Sequence, residues 1–186
     1  MSHWFRTYGF AEVLDGLLIG AYPLDADDVR MLEMVGIERV LNLVEDEEYR
    51  EIDRQAVEEA LDEAGIEEYR LRLTDYGTLP PEELETAVDE VSHWLDEGVR
   101  TYVHCRAGWQ RSAAVAAGVV ALRDGIDIDQ ALEQVQVRKP TADPLPHQRE
   151  DMRRWWRERT VAEEPGSPEG EGPALREGEG PDPEPD

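Results

Sequence analysis

His104-Cys105-Arg106-Ala107-Gly108-Trp109-Gln110-Arg111-Ser112 follows a short apolar run, Thr101-Tyr102-Val103, and leads into Ala113-Ala114-Val115-Ala116-Ala117. The stretch reads as strand, tight loop, helix. Such a junction turns backbone N–H groups toward an anion where the helix begins. The only cysteine of the chain opens the loop, and an arginine closes it six positions later. A nucleophile and a guanidinium fork around one nest of amides suit phosphoryl transfer through a phosphocysteine.

Outward from this loop, strand and helix patterns alternate. Phe10–Val13 and Leu17–Ile19 flank Asp15-Gly16, a hairpin signal. Asp25, three before Asp28, predicts the cap of a helix to about Val35, with Gly36 as its stop. Residues 38–44 read as a buried strand. A charged helix is expected from about Glu47 to Ala64, with Ile52, Ala56, Val57, Ala60, Leu61 and Ala64 near helical spacing and Gly65 as its end. Residues 66–73 read as the next strand. Pro80-Pro81 start a helix through Asp96, with Leu84, Val88, Val91 and Leu95 on one face.

Beyond the loop, residues 112–124 predict a helix that is small and apolar nearly all round, as central burial requires. Asp127 and Gln130 form a capping-box pair for a helix to about Arg138. Residues 139–146 are turn-rich, and a last helix, anchored by Trp155-Trp156, ends near Arg159. The economical architecture is α/β: a central, mostly parallel twisted sheet of about five strands with helices on both faces.

The 186 residues suit one domain with a real core. Residues 1–162 form the expected domain. Residues 163–186 carry nine acids against one arginine, with Pro and Gly and almost no large apolar side chains, and are expected to be disordered. No run approaches a membrane span, and no signal-peptide core is present at the N-terminus. A lone cysteine excludes an internal disulfide framework, and a catalytic thiolate needs a reducing compartment, so a cytoplasmic location is expected.

The net charge is −25, with 18 arginines and a single lysine, Lys139. This balance argues against general binding to nucleic acid or anionic membrane. We read the acidity as adaptation to a salty cytosol, where screening removes self-repulsion. Thermal melting should then shift upward between low and molar KCl, and a curve indifferent to salt would refute the reading. Residues 138–159 hold seven basic and four acidic side chains, the one locally positive stretch, read as a salt-bridged helix face rather than a steering surface. His3, His93 and His147 have no ligand-like spacing; neither metal nor cofactor is expected.

A thiol is mostly protonated at neutral pH, but a helix N-terminus and a nearby cation depress its pKa. Cys105 has both in prospect, since the helix at Ser112 begins just beyond it and Arg111 must fold back toward it. Residues Arg106, Ala107, Gly108, Trp109, Gln110 and Arg111 would supply a ring of amides for three phosphoryl oxygens. Gly108 answers a backbone conformation that side chains oppose. Arg111 can bind two oxygens bidentately. The Ser112 hydroxyl can stabilise the thiolate and help it leave, and His104 is placed to orient the loop through hydrogen bonds. Arg106 is read either as a second cation for multiply charged substrates or as the partner of a surface acid. Trp109 forms a lip or packs on a neighbouring loop. Gln110 meets water or substrate.

The pattern H-C-x-x-G-x-x-R-S resembles the protein tyrosine phosphatase superfamily, and within it the small dual-specificity phosphatases. LLIGAYPLDADDVRMLEMVGIERVLNLVED (residues 17–46) resembles their hairpin, first helix and following strand, and VRKPTADPLPHQREDM (residues 137–152) their later connection. The resemblance spans most of residues 10–160. It implies attack on phosphorus by Cys105, hydrolysis of a phosphocysteine without metal, and a pocket shallower than that of the larger tyrosine-specific domains. It also implies a general acid: Asp75, 30 residues before Cys105, stands where the family carries its aspartate.

The expected substrate is phosphotyrosine in proteins, with phosphoserine and phosphothreonine beside it. The alternatives are a phosphoinositide, inositol-phosphate or RNA-end phosphatase on the same site, a non-catalytic phosphate-binding module, and sulfur transfer or arsenate reduction.

Overall fold

Five strands, β1 (Phe10–Leu14), β2 (Leu17–Ala21), β3 (Arg39–Asn42), β4 (Glu67–Arg70) and β5 (Thr101–Cys105), lie in the order β1-β2-β5-β3-β4. They belong to a computed structural model that describes residues 1–49 and 54–163. β1 pairs antiparallel with β2, whereas the β2–β5, β5–β3 and β3–β4 pairs are parallel. Parallel neighbours share one C-terminal edge, so Cys105 and the segments leaving β3 and β4 emerge together. That edge is where open α/β sheets place their sites.

Among the described residues seven α-helices complete the fold: α1 (His3–Tyr8), α2 (Ala26–Met34), α3 (Arg54–Ala64), α4 (Pro81–Asp96), α5 (Arg111–Asp124), α6 (Ile128–Arg138) and α7 (Pro146–Glu163). Alternation along β5 sorts the faces. Val103 joins the core under α4, α5, α6 and α7, and Tyr102 joins Phe5, Val29, Leu32, Val57 and Leu61 of α1, α2 and α3 on the other side. Helix α5 is buried at every residue from Arg111 to Ala121. Its small side chains let neighbours close in: a Cβ on Gly118 would stand 2.6 Å from Val88 and 3.2 Å from Trp155. The expected caps form, with Asp25 accepting from the Asp28 amide and a complete capping box at Asp127 and Gln130.

Several boundaries differ from expectation. The helix expected from Glu47 to Ala64 differs at its start: Asp46–Tyr49 is a 3-10 turn, α3 is described from Arg54, and residues 50–53, Ile52 among them, lie outside the described residues. The reason is tertiary, because Glu48 turns inward to an arginine. The strands expected over residues 38–44 and 66–73 pair only over β3 and β4. β5 runs on to Cys105, so the cysteine ends a strand. Helix α7 continues past Arg159 to Glu163, and the acidic segment beyond it lies outside the described residues. Helix α1 carries no strong sequence signal and was not expected. Among the described residues no helix is long and apolar enough to cross a membrane.

Candidate active site

Cys105 ends the central strand β5 and its thiol is buried. Burial alone would push the thiol up. The charge of Arg111, the Ser112 hydroxyl and the backbone N–H groups of Ser112 and Gln110 outweigh burial and hold it below the usual thiol range. The Ser112 Oγ lies 3.4 Å from Sγ. Among the described residues, none of the amides of Arg106 to Trp109 donates to a backbone carbonyl. Gly108 has φ 75°, and a Cβ there would sit 2.5 Å from the backbone of Gly20 in β2. The loop can thus fold tightly against the sheet only with glycine at this position.

Arg111, first residue of α5, is buried and gripped from three segments. Its Nη1 donates to Glu48 Oε1 (2.7 Å), the Leu73 carbonyl (2.8 Å) and the Leu43 carbonyl (3.3 Å). Its Nη2 donates to Glu48 Oε2 and Asp75 Oδ1, each at 2.9 Å. Burial works against the charge, but the Glu48 carboxylate and the charges of Cys105 and Asp75 raise the guanidinium above its ordinary value. With side chains 1% and 9% exposed, Arg111 and Glu48 form a buried pair; removing one member of such a pair costs about 3–5 kcal/mol. The Nε–H is buried and has no partner among the described residues. It is an unused donor beside an Nη2 that meets Asp75.

Asp75 sits in a tight turn beyond β4, one residue before Tyr76, whose φ of 56° is left-handed without being glycine. Such a residue costs on the order of 1–3 kcal/mol and marks a turn held by its surroundings. Glu45 supplies the hold: its carboxylate accepts from the Asp75 amide (3.3 Å) and from Thr74 Oγ1 (3.1 Å). The Glu45 amide in turn donates to Glu48 Oε1 at 3.0 Å. The acidic segment after β3 therefore ties Arg111 and the Asp75 turn into one unit.

Asp75, Tyr76, Cys105, Arg106, Ala107, Trp109, Gln110 and Arg111 line a single cleft. Ser112 and Gly108 stand behind it, against the sulfur and the sheet. Of the two roles read for Arg106, the surface-acid partner is not met among the described residues, and its guanidinium carbon stands 5.9 Å from the Trp4 ring centre. Trp109 is 40% exposed at the cleft and packs on Tyr8, ring centres 5.4 Å apart. Burial pushes the His104 imidazole down to about 3, against a backbone hydrogen bond to Cys105 that draws it up, so the ring is neutral. His104 positions the loop through its backbone, whose carbonyl accepts from the Leu43 amide at 3.0 Å.

The basic stretch near the C-terminus is largely neutralised. Arg149, Arg153, Arg154 and Arg159 pair with Asp143, Asp129 and Glu150, Asp151, and Glu85 with Asp89, respectively. Sequence reading missed Glu48, Tyr76, Gly20 and the α1 aromatics. Glu48 had a usable signal: four consecutive acids, Glu45 to Glu48, follow the C-terminal end of a parallel strand.

A buried thiol held below its ordinary pKa range, an arginine fork and a carboxylate on one cleft define an enzyme of the cysteine-dependent phosphatase class. Residues 17–158 match the dual specificity phosphatase catalytic domain, and the chain belongs to that family. No match was found among curated protein sequences. Solved structures share the fold. PTPMT1 in complex with PI(5)P aligns with a TM-score of 0.73 and 24% identity over 82% of this chain and 97% of its own. Tk-PTP aligns with a TM-score of 0.71 and 21% identity over 83% and 99%. Kinase associated phosphatase, with serine substituted for its catalytic site cysteine, aligns with a TM-score of 0.70 and 18% identity over 82% and 94%.

Proposed function

We propose that the protein hydrolyses phosphomonoesters, phosphotyrosine in proteins first and phosphoserine and phosphothreonine beside it, in a reducing, cytoplasmic setting. The observation that carries the reading is the meeting of Cys105, Arg111 and Asp75 at one cleft, with the thiol held below its ordinary pKa. Exposed Trp109 and Tyr76 at the mouth favour a leaving group with an aromatic face.

In the first step the Cys105 sulfur attacks phosphorus. The S–P bond forms as the P–O bond to the leaving group breaks, and Asp75 gives its proton to the departing oxygen. Binding of the phosphoryl group to the Arg111 Nε and Nη2 edge draws Nη2 from Asp75 and turns the carboxyl toward that oxygen. In the second step water attacks phosphorus, Asp75 takes its proton, and the S–P bond breaks to release phosphate and thiolate. Ser112 Oγ and the Gln110 and Ser112 amides stabilise the sulfur as it leaves. Glu48 positions the guanidinium throughout.

One observation favours a second reading. Arg106, a cation at the cleft with no carboxylate partner among the described residues, suits a substrate with a second anionic group, such as a phosphoinositide. The PI(5)P complex of PTPMT1 supports that class through a shared fold. Phosphotyrosyl peptides and soluble phosphoinositides, assayed side by side, separate the two. We expect kcat/KM to favour the peptide by about tenfold or more. A preference of that size for the phosphoinositide would move the assignment to lipid or inositol phosphates, and a protein that bound peptide without turning it over would be a binding module.

A further inference from the structure

Helix α1 lies ahead of the matched family domain, which begins at residue 17. Its aromatic side chains nevertheless back the catalytic loop. Trp4 lies beneath the Arg106 guanidinium at 5.9 Å, and Tyr8 meets Trp109 at 5.4 Å. Trp4 and Tyr8 themselves stack with ring centres 4.2 Å apart. Arg106 and Trp109 are the loop residues that are exposed at the cleft, whereas Gly108 is buried and Ala107 and Gln110 are half-buried. Each exposed loop side chain therefore has a ring of α1 behind it.

A helix of six residues does not hold itself in place. Two anchors do so. The Ser2 amide and hydroxyl donate to the buried Asp28 carboxylate at 2.7 and 2.6 Å. At the other end Lys139, the only lysine of the chain, is buried and donates from Nζ to the Tyr8 carbonyl at 3.0 Å. The turn that Lys139 opens then returns the Asp143 amide to the Trp109 carbonyl at 2.6 Å. Trp109 is thus clasped by α1 through its ring and by the Lys139 turn through its backbone. Burial drives the ammonium down and the charge of Cys105 draws it back up, which places Lys139 within electrostatic reach of the site.

We propose that α1 is a wall of the active site, anchored by Asp28 and Lys139, which presents Arg106 and Trp109 to the organic part of the substrate. The inference rests on the phosphatase reading above and deepens it. Trp4, Tyr8 and Lys139 are positioning residues. An unbacked indole and guanidinium sample many rotamers and lose that freedom on binding, whereas a backed pair has already lost it. The effect belongs to substrate affinity, because the phosphoryl group is held by the amides and Arg111.

The test uses the full chain carrying Trp4→Ala, Tyr8→Ala, Lys139→Met or Lys139→Arg. KM and kcat are measured with a phosphotyrosyl peptide, and vanadate affinity reads the phosphate cradle alone. We expect Trp4→Ala, Tyr8→Ala and Lys139→Met each to raise KM about three- to tenfold, with kcat and vanadate Kd within about twofold of wild type. Lys139→Arg should restore KM. If Trp4→Ala fails to fold, Trp4→Phe, which keeps a ring but weakens the cation–π contact, gives the same reading. Unchanged KM in folded variants would overturn the proposal. So would a joint fall of kcat and vanadate affinity, since α1 would then support the cradle rather than the lip. A wild type that ignores the peptide but hydrolyses a short-chain phosphoinositide overturns the protein-substrate reading, and the same KM ratios on that substrate then decide the role of α1.

Discussion

Cys105→Ser is expected to lower turnover of every phosphomonoester by at least about four orders of magnitude, while binding of phosphate mimics survives. The cradle around Sγ stabilises an anion that a thiol, its pKa held below the usual range, provides more readily than a hydroxyl. The Arg111 charge and the amides of Gln110 and Ser112 remain in place for the ligand. Single-turnover assays and vanadate titration of the variant measure the two halves separately. The sign of the pH dependence follows from the lowered thiol pKa. The attacking species is the thiolate, so kcat/KM is sustained down to the depressed pKa and falls below it as the sulfur takes up a proton. Wild-type turnover that rose only above the ordinary thiol range, or a serine variant near full speed, would remove Cys105 from the chemistry.

Asp75→Asn should reduce kcat by about two to four orders of magnitude for alkyl phosphates and far less for activated aryl phosphates. Poor leaving groups need the proton that a carboxamide cannot give; good ones depart without it. The geometry makes the variant informative. The substituted side chain would keep an oxygen acceptor for Arg111 Nη2, now 2.9 Å from Asp75 Oδ1, and the backbone amide would still reach the Glu45 carboxylate, so the turn persists. Equal, small losses for both leaving-group classes would place the acid elsewhere on the cleft.

Much of this was legible from local pattern. The strand–loop–helix reading of residues 101–117 placed Cys105 and Arg111 at opposite ends of one nest, because β and α periodicities change over within that stretch. Gly108, Asp25 and the Asp127–Gln130 box are local devices whose residue type answers a local backbone demand. The 3-10 turn after β3 was not legible. Glu47 to Ala64 has helical composition, but a long-range pair with Arg111, 63 residues away, draws Glu48 into a 3-10 turn.

Periodicity and the spacing of Cys105 to Ser112 pointed to an α/β chain with a loop suited to phosphoryl transfer, since each rests on contacts within a few residues, and the resemblance to dual-specificity phosphatases added the family. The neighbours of Arg111 and the wall of the cleft came from elsewhere. Glu48 and Asp75 reach Arg111, and Trp4 and Tyr8 reach Arg106 and Trp109, while Lys139 holds the Tyr8 carbonyl. Glu48 and Asp75 converge because the parallel strands β3 and β4 deliver their C-terminal ends to one edge, where burial of Arg111 forces its charge to find partners that linear order does not announce.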